Sequence, residues 1–330
     1  MSGRLSGRLR PRTRHGWWLA AALALLVGAV VLGAMVGPAG TISSANWSII
    51  WKIRLPRVAL AAIVGSMLSL AGASYQGVFR NPLVDPFLLG AAAGAGLGAT
   101  LVFAYFRTTT VDWPIDPLPL AAFVGALVAV LVTYAVGASF GGSSLTLVLA
   151  GVAVAALCTA VQQMVLLRNA DVIDEVYSWI SGRLSTATWA DVRLVAPYVV
   201  VSSVILLMHR RQLDVLRVGD EEAASLGAEV KRVRLVVVIA ATLGTAAVVS
   251  VSGLIGFVGI MVPHLVRLMF SASYRWVLPM SIVVGATFLI LADVPGRVLE
   301  HGRETPIGVV TAFLGAPMFI VVLRSKRRFT

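Results

Sequence analysis

Charge is scarce in this chain. Only 13% of its 330 residues are Asp, Glu, Lys or Arg. Soluble domains carry roughly a quarter charged residues to cover a water-facing surface, so an ordinary soluble domain is excluded. Disorder is excluded by the opposite excess, 58% hydrophobic residues. Cysteine is nearly absent. Cys158 stands alone, which rules out an internal disulfide and a thiolate metal cluster. There are three lysines, Lys52, Lys231 and Lys326. None follows a glycine, so the chain has no Gly-Lys-Ser/Thr phosphate loop and is not by itself a nucleotide hydrolase of that type. The four histidines, His15, His209, His264 and His301, are scattered without the spacing of a metal or catalytic set. No metal site and no enzymatic chemistry is expected.

What is present is long uncharged sequence. A hydrocarbon core of about 30 Å takes roughly 20 apolar residues at about 1.5 Å rise each. Trp17 to Gly37, Val58 to Phe79 and Pro86 to Phe106 each meet this length without a formal charge. Pro117 to Leu167 is also uncharged and long enough for two crossings, divided at Gly137-Ala-Ser-Phe-Gly-Gly-Ser-Ser144. Leu194 to Met208 is a shorter sixth span. Leu235 to Phe270, broken by Gly253, Gly256, Gly259 and Pro263, reads as two. Trp276 to Ala292 and Thr305 to Leu323 bring the count to ten. The fold class is all-α and integral to the membrane. One transmembrane domain covers residues 17–323, between basic tails at 1–16 and 324–330.

Several spans favour small residues, as in Gly90-Ala-Ala-Ala-Gly-Ala-Gly-Leu-Gly98. Lipid offers helices no hydrophobic reason to associate, so small residues that let backbones touch predict a tight bundle. Basic residues set the orientation. Arg4, Arg8, Arg10, Arg12 and Arg14 precede the first span, and Arg324, Lys326, Arg327 and Arg328 follow the last. Both termini are expected in the cytoplasm, and ten spans give the inside segments a twofold excess of basic residues. The net charge of +12 is therefore a topology signal. These short tails offer no basic face for nucleic acid. The first apolar stretch is too long for a signal peptide and lacks a convincing cleavage site, so a retained first helix is expected.

Three loops stand out. Within the inside loop 209–234, Asp220, Glu221 and Glu222 open a short Ala-rich stretch that Gly227 ends, which suits a small helix. Leu216, Ala223 and Leu226 would form its apolar face. Two readings fit: an interfacial helix that caps the bundle, or a docking lever for a cytoplasmic partner. In the inside loop Phe79–Gly90, Pro82 and Pro86 forbid a continuous helix, and Arg80 and Asp85 can pair locally. The outside loop with Lys52, Arg54, Leu55, Pro56 and Arg57 carries positive charge against the inside bias. Lipid headgroups or an acidic protein partner would each account for it.

Ion-coupled carriers typically use intramembrane carboxylates. None lies within a span; Asp293, at an outer end, is the nearest. An ion-gradient-driven carrier or channel is the second reading. Polar Gln162 and Gln163 in the fifth span face either a cavity or another helix, because lipid leaves an amide unpaired.

Taken in order, the loops resemble one family. They are Arg54-Leu-Pro-Arg57; Gly72-Ala-Ser-Tyr-Gln-Gly-Val-Phe-Arg-Asn-Pro-Leu-Val-Asp-Pro86; Leu149-Ala-Gly151; Trp179-Ile-Ser-Gly182; and Gly219-Asp-Glu-Glu-Ala-Ala-Ser-Leu-Gly227. Gly253-Leu-Ile-Gly-Phe-Val-Gly259, Pro263-His264 with Arg267, Ala292-Asp293 with Arg297, and Glu304-Thr-Pro-Ile-Gly308 through Pro317 complete them. This series is similar to the permease subunits of ABC importers for ferric siderophores, haem and vitamin B12. The resemblance implies a BtuC-like permease bundle of the type II importer class, multi-pass in a bacterial cytoplasmic membrane. It implies a second permease copy or a paralogous partner, two cytoplasmic ATPase subunits that bind ATP and Mg, and an extracytoplasmic substrate-binding protein. The chain itself would carry no cofactor. Ferric siderophore is the first expectation for cargo, with haem and cobalamin next.

The resemblance assigns ATPase coupling to Gly219, Asp220, Glu221, Glu222, Ala223, Ala224, Ser225, Leu226 and Gly227. It assigns binding-protein docking to Arg54, Arg57 and Arg297, with Arg303 as a weaker neighbour. The translocation path is expected along the fifth span at Thr159, Gln162, Gln163 and Met164.

Overall fold

The computed structural model describes residues 12–37, 40–41, 47–106, 116–227, 229–298 and 304–326. Among these, seven helices are long and apolar enough to cross a membrane, and three shorter apolar helices stand where the remaining crossings are expected. In chain order the helices are α1 (Arg12–Met35), α2 (Trp47–Ile49), α3 (Leu55–Val78), α4 (Ala91–Tyr105), α5 (Pro117–Ser139), α6 (Ser144–Arg168) and α7 (Ile173–Ile180). They continue with α8 (Trp189–Met208), α9 (Arg210–Leu216), α10 (Asp220–Ser225), α11 (Val230–Ser252), α12 (Val258–Met269), α13 (Tyr274–Val298) and α14 (Ile307–Lys326). Among the described residues, the one strand pairing is Val36–Gly37 against Gly40–Thr41.

Local chemistry starts several helices where they begin. Asp116 precedes Pro117 and accepts from the Leu118 N–H, Ser143 accepts from the Thr146 N–H, and Thr188 with Asp191 forms a reciprocal capping box. Each satisfies amide donors that a first helical turn leaves unpaired. The box starts the sixth span at Trp189, earlier than its uncharged run suggests.

Helices α3, α11 and α13 form the buried centre, with α1 peripheral against α13 and α3. The small residues act as expected. A side chain on Gly65 would meet the Gly285 carbonyl, joining α3 to α13, and Gly94 and Gly125 exclude one another's side chains between α4 and α5. Such contacts bring backbones together without an intervening side chain.

The break at Gly253 divides the seventh and eighth spans. Gly253 has φ +68°, and a side chain there would strike the Trp179 carbonyl. The strand of non-helical backbone from Gly253 to Phe257 lies against the protein, where the Arg183 N–H donates to the Ser252 carbonyl (2.7 Å) and the Gly308 N–H donates to Ser181 (2.9 Å). Three of the sequence motifs, around Trp179, Gly253 and Ile307, thus meet at one place.

Candidate functional site

The loops sort onto two ends of the bundle. At one end, the loop from Phe79 to Gly90, the turn at Gly141–Gly142, helices α9 and α10, and the turn before Tyr274 are bonded together. Asp220 of α10 receives Arg234 Nη2 (2.9 Å) and lies 3.4 Å from Arg80. Arg234 also donates to the Gly142 carbonyl (3.4 Å). Asp214 of α9 accepts from Ser273 Oγ (2.6 Å) and the Tyr274 N–H (2.7 Å), while Arg217 donates to the Ala272 carbonyl (3.1 Å). The expected local pair of Arg80 with Asp85 is not formed. Arg80, with φ +50°, turns instead to Asp220.

The acidic helix spans Asp220–Ser225, close to the stretch read from sequence. Gly219 precedes it at φ +129°, with the Glu222 carboxylate folded over the position a side chain would fill. Gly227 follows at φ +83° with open space around it. The apolar face is smaller than expected: Leu216 and Ala223 are buried, but Leu226 is 71% exposed. Glu221, Glu222, Ala224 and Ser225 are not buried, so the helix presents its acidic and small residues outward from the junction. Arg234 was missed in the sequence. It stands three and four residues before buried Val237 and Val238, a helical spacing that places it on the inward face.

Asp85 accepts from the Phe87 N–H (2.8 Å). Burial raises its carboxyl from 3.8 to about 6, opposed by that N–H. An acid that binds its proton more tightly when folded adds stability below its unfolded value, and this is lost as pH rises to the folded value. The wild-type thermal midpoint is expected to fall relative to Asp85→Asn as pH rises from about 4 to about 6. Parallel pH profiles in detergent would remove this role from Asp85.

At the other end, the arginines depart from expectation. Arg57 and Arg297, read as outward docking residues, are 7% and 2% exposed. Arg57 grips Asp293 through Nε and Nη2 (both 2.8 Å) and donates to Glu304 (2.7 Å). Arg297 pairs with the same Asp293 and donates to the carbonyls of Gly33 (2.6 Å) and Val36 (2.9 Å). Arg54 is half-buried and donates to the Met35 carbonyl (2.7 Å). All three therefore hold the C-terminal end of α1 or the carboxylates beside it, where cations satisfy unpaired carbonyls. The correction has a physical reason: Asp293, too, is 2% exposed, and a buried carboxylate requires cationic partners. Nearby, Trp189 Nε1 donates to the Trp51 carbonyl (2.8 Å). Arg303 lies outside the described residues.

On the fifth span, Gln162 is buried and donates to Thr100 Oγ1 (3.0 Å) beside Gly96. It joins α6 to α4 and does not line a path along the outer face of α6. Thr159, Gln163 and Met164 lie on that exposed face. Among the described residues, no group of three His, Cys, Asp or Glu side chains comes together to hold a metal ion.

Comparisons agree with this architecture. The FecCD transport family matches residues 17–325. The chain is 40% identical over 279 residues to the cobalamin import system permease protein BtuC of Halobacterium salinarum, covering 84% of this chain and 74% of that protein. It is 34% identical over 337 residues to the hemin transport system permease protein HmuU of Yersinia pestis, covering 98% and 99% respectively. Among solved structures, an inward-facing metal-chelate type ABC transporter superposes with a TM-score of 0.83 at 29% identity, over 94% of this chain and 99% of that one. A multi-pass membrane permease, the chain belongs to the FecCD transport family.

Proposed function

We propose that this chain is the membrane-spanning subunit of an ATP-driven importer of a metal chelate, ferric siderophore first, haem or cobalamin next. It works in the cytoplasmic membrane as one of a pair of permease copies. Two cytoplasmic ATPase subunits bind and hydrolyse ATP with Mg, and an extracytoplasmic protein delivers the cargo. Both termini and the end bearing α10 face the cytoplasm.

The observation that carries this reading is the junction at Asp220. A short acidic helix with exposed acidic side chains is fastened by Arg234 and Arg80 to the start of α11 and the loop after α3. Force applied to α10 reaches several spans through charge-assisted bonds, which suits alternation between discrete packings driven from outside the chain. Gly219 to Gly227 are the coupling residues in this reading. Thr159, Gln163 and Met164, on the exposed face of α6, are the path residues toward the second copy. Ion coupling is disfavoured because Asp293, the carboxylate nearest a span interior, is already taken up by the guanidiniums of Arg57 and Arg297.

Docking of the binding protein is assigned to the end with Arg54, where exposed Lys52 adds charge and Arg57 and Arg297 brace the surface from within. Reconstituted with its ATPase and binding protein, the chain is expected to import chelate with ATP after ion gradients are collapsed. Lys52→Glu with Arg54→Glu is expected to weaken binding-protein affinity, most at low salt where surface charge is least screened. Uptake that follows an ion gradient without ATP would establish the carrier reading instead, and unchanged affinity would return these cations to lipid headgroups.

A further inference from the structure

Gln76 and Arg267 belong to two of the sequence motifs, yet neither coupling nor docking uses them. Arg267 Nη1 donates to Gln76 Oε1 (2.6 Å), Nη2 reaches the Tyr274 hydroxyl (3.4 Å), and the guanidinium lies 5.7 Å from the Tyr274 ring centroid. Gln76 is fixed in turn by donating to the carbonyls of Gly259 (3.0 Å) and Val84 (3.3 Å). Every one of these partners of Arg267 is neutral. Among the described residues no carboxylate pairs with it.

The same three side chains, with Arg80 and Arg217, wall a cavity of about 270 Å³. Its acidic neighbours are already engaged. Asp220, beside Arg80, also receives Arg234, and Asp214, 3.8 Å from Arg217, accepts from Ser273 and the Tyr274 N–H. Three guanidiniums therefore share one cavity with two carboxylates at its margin. A half-buried guanidinium with only neutral partners keeps its charge and some N–H groups unmatched. A phosphate, with several oxygens on one centre, fits converging guanidinium forks better than a single lone pair can. The cavity lies where α3 and α12 end and α13 begins, and basic pockets between the ends of spans bind anionic headgroups.

We propose that this cavity binds the phosphate of an anionic phospholipid, with Arg267 as its central ligand and Arg80 and Arg217 flanking it. The test is native mass spectrometry of the full-length chain in detergent, with phosphatidylglycerol or phosphatidylcholine added. Wild type is expected to retain one phosphatidylglycerol beyond its phosphatidylcholine count. Arg267→Gln is expected to weaken that retention roughly tenfold, the scale of a lost hydrogen bond to a charged group. Arg267→Lys, keeping charge without the fork, is expected to fall between them. Arg232→Gln, whose exposed pair with Glu229 lies outside the cavity, is expected to leave the count unchanged. If Arg267→Gln fails to fold, Arg217→Gln in the exposed loop reads the same site. A parallel arm adds inorganic phosphate without lipid. Stabilisation of wild type but not Arg267→Gln by phosphate, with no lipid retained, would overturn the lipid source and leave a free phosphate site. Equal lipid retention and equal phosphate response in both proteins would overturn the site, leaving a carboxylate of a partner protein as the occupant.

Discussion

Asp293→Ala is expected to cost about 3–5 kcal/mol of stability, the scale seen when one member of a buried ion pair is removed. The reason is the number of charges that lose their partner. Arg57 uses two nitrogens on this carboxylate and Arg297 uses the same group. Without it, two buried guanidiniums would lie side by side with only Glu304, itself partly exposed, to balance them. The measurement is the thermal midpoint of detergent-purified protein, with the folded fraction read by size exclusion. Asp293→Asn, which keeps an acceptor, is expected to be less damaging but still clearly destabilised. Arg57→Leu combined with Asp293→Leu removes both charges of one pair and is expected to recover part of the loss, because replacing a buried pair by apolar groups is often tolerated. A midpoint for Asp293→Ala within experimental error of wild type would show that water or lipid headgroups, rather than this carboxylate, balance the arginines.

The second large effect concerns the link between α10 and the spans. Arg234→Ala is expected to abolish transport-linked ATP hydrolysis while the chain still inserts and folds. Only about 1–3 kcal/mol of stability should be lost, since the bond is to a charged group but Asp220 is half-exposed. The control is a charge swap. Asp220→Arg alone sets three cations together and is expected to uncouple; adding Arg234→Asp restores one opposite-charge pair and is expected to recover part of the stimulated activity. Gly227→Trp, at a position of open space but positive φ, is expected to strain the end of α10 and uncouple without disturbing the junction. Stimulated hydrolysis at the wild-type level in Arg234→Ala and Gly227→Trp would remove this loop from force transmission.

Much of the architecture was legible because membrane spans are written as missing charge. Each uncharged run contains or overlaps an apolar helix, and the small residues read as packing glycines lie where helices touch. Caps such as Ser143 and Asp116 depend on neighbours within a few residues, so the chain carries that information locally. Side-chain direction was less legible. Arg57 lies 236 positions from Asp293, and no local pattern says whether an arginine at a span end points outward or closes on a distant acid. Gln162 differs from Gln163 only by 100° of helical rotation, yet one is bonded to Thr100 and the other lies on the exposed face. For Arg80 the sequence offered Asp85 as a local partner, and the positive φ that accompanies its pairing with Asp220 is a tertiary outcome. Arg234 closes the basic inside loop 209–234, and its register with Val237 and Val238 carried the signal of inward placement.

The contact of Gly65 with Gly285 has a mechanical consequence. The carbonyl of one helix fills the volume where the other would carry a side chain, so no compliant wedge separates α3 from α13 at this crossing. Axial slip would grind peptide against peptide at that crossing, with no rotamer there available to yield. In any working stroke these two helices travel as a single strut, and the give must come from seams elsewhere in the bundle.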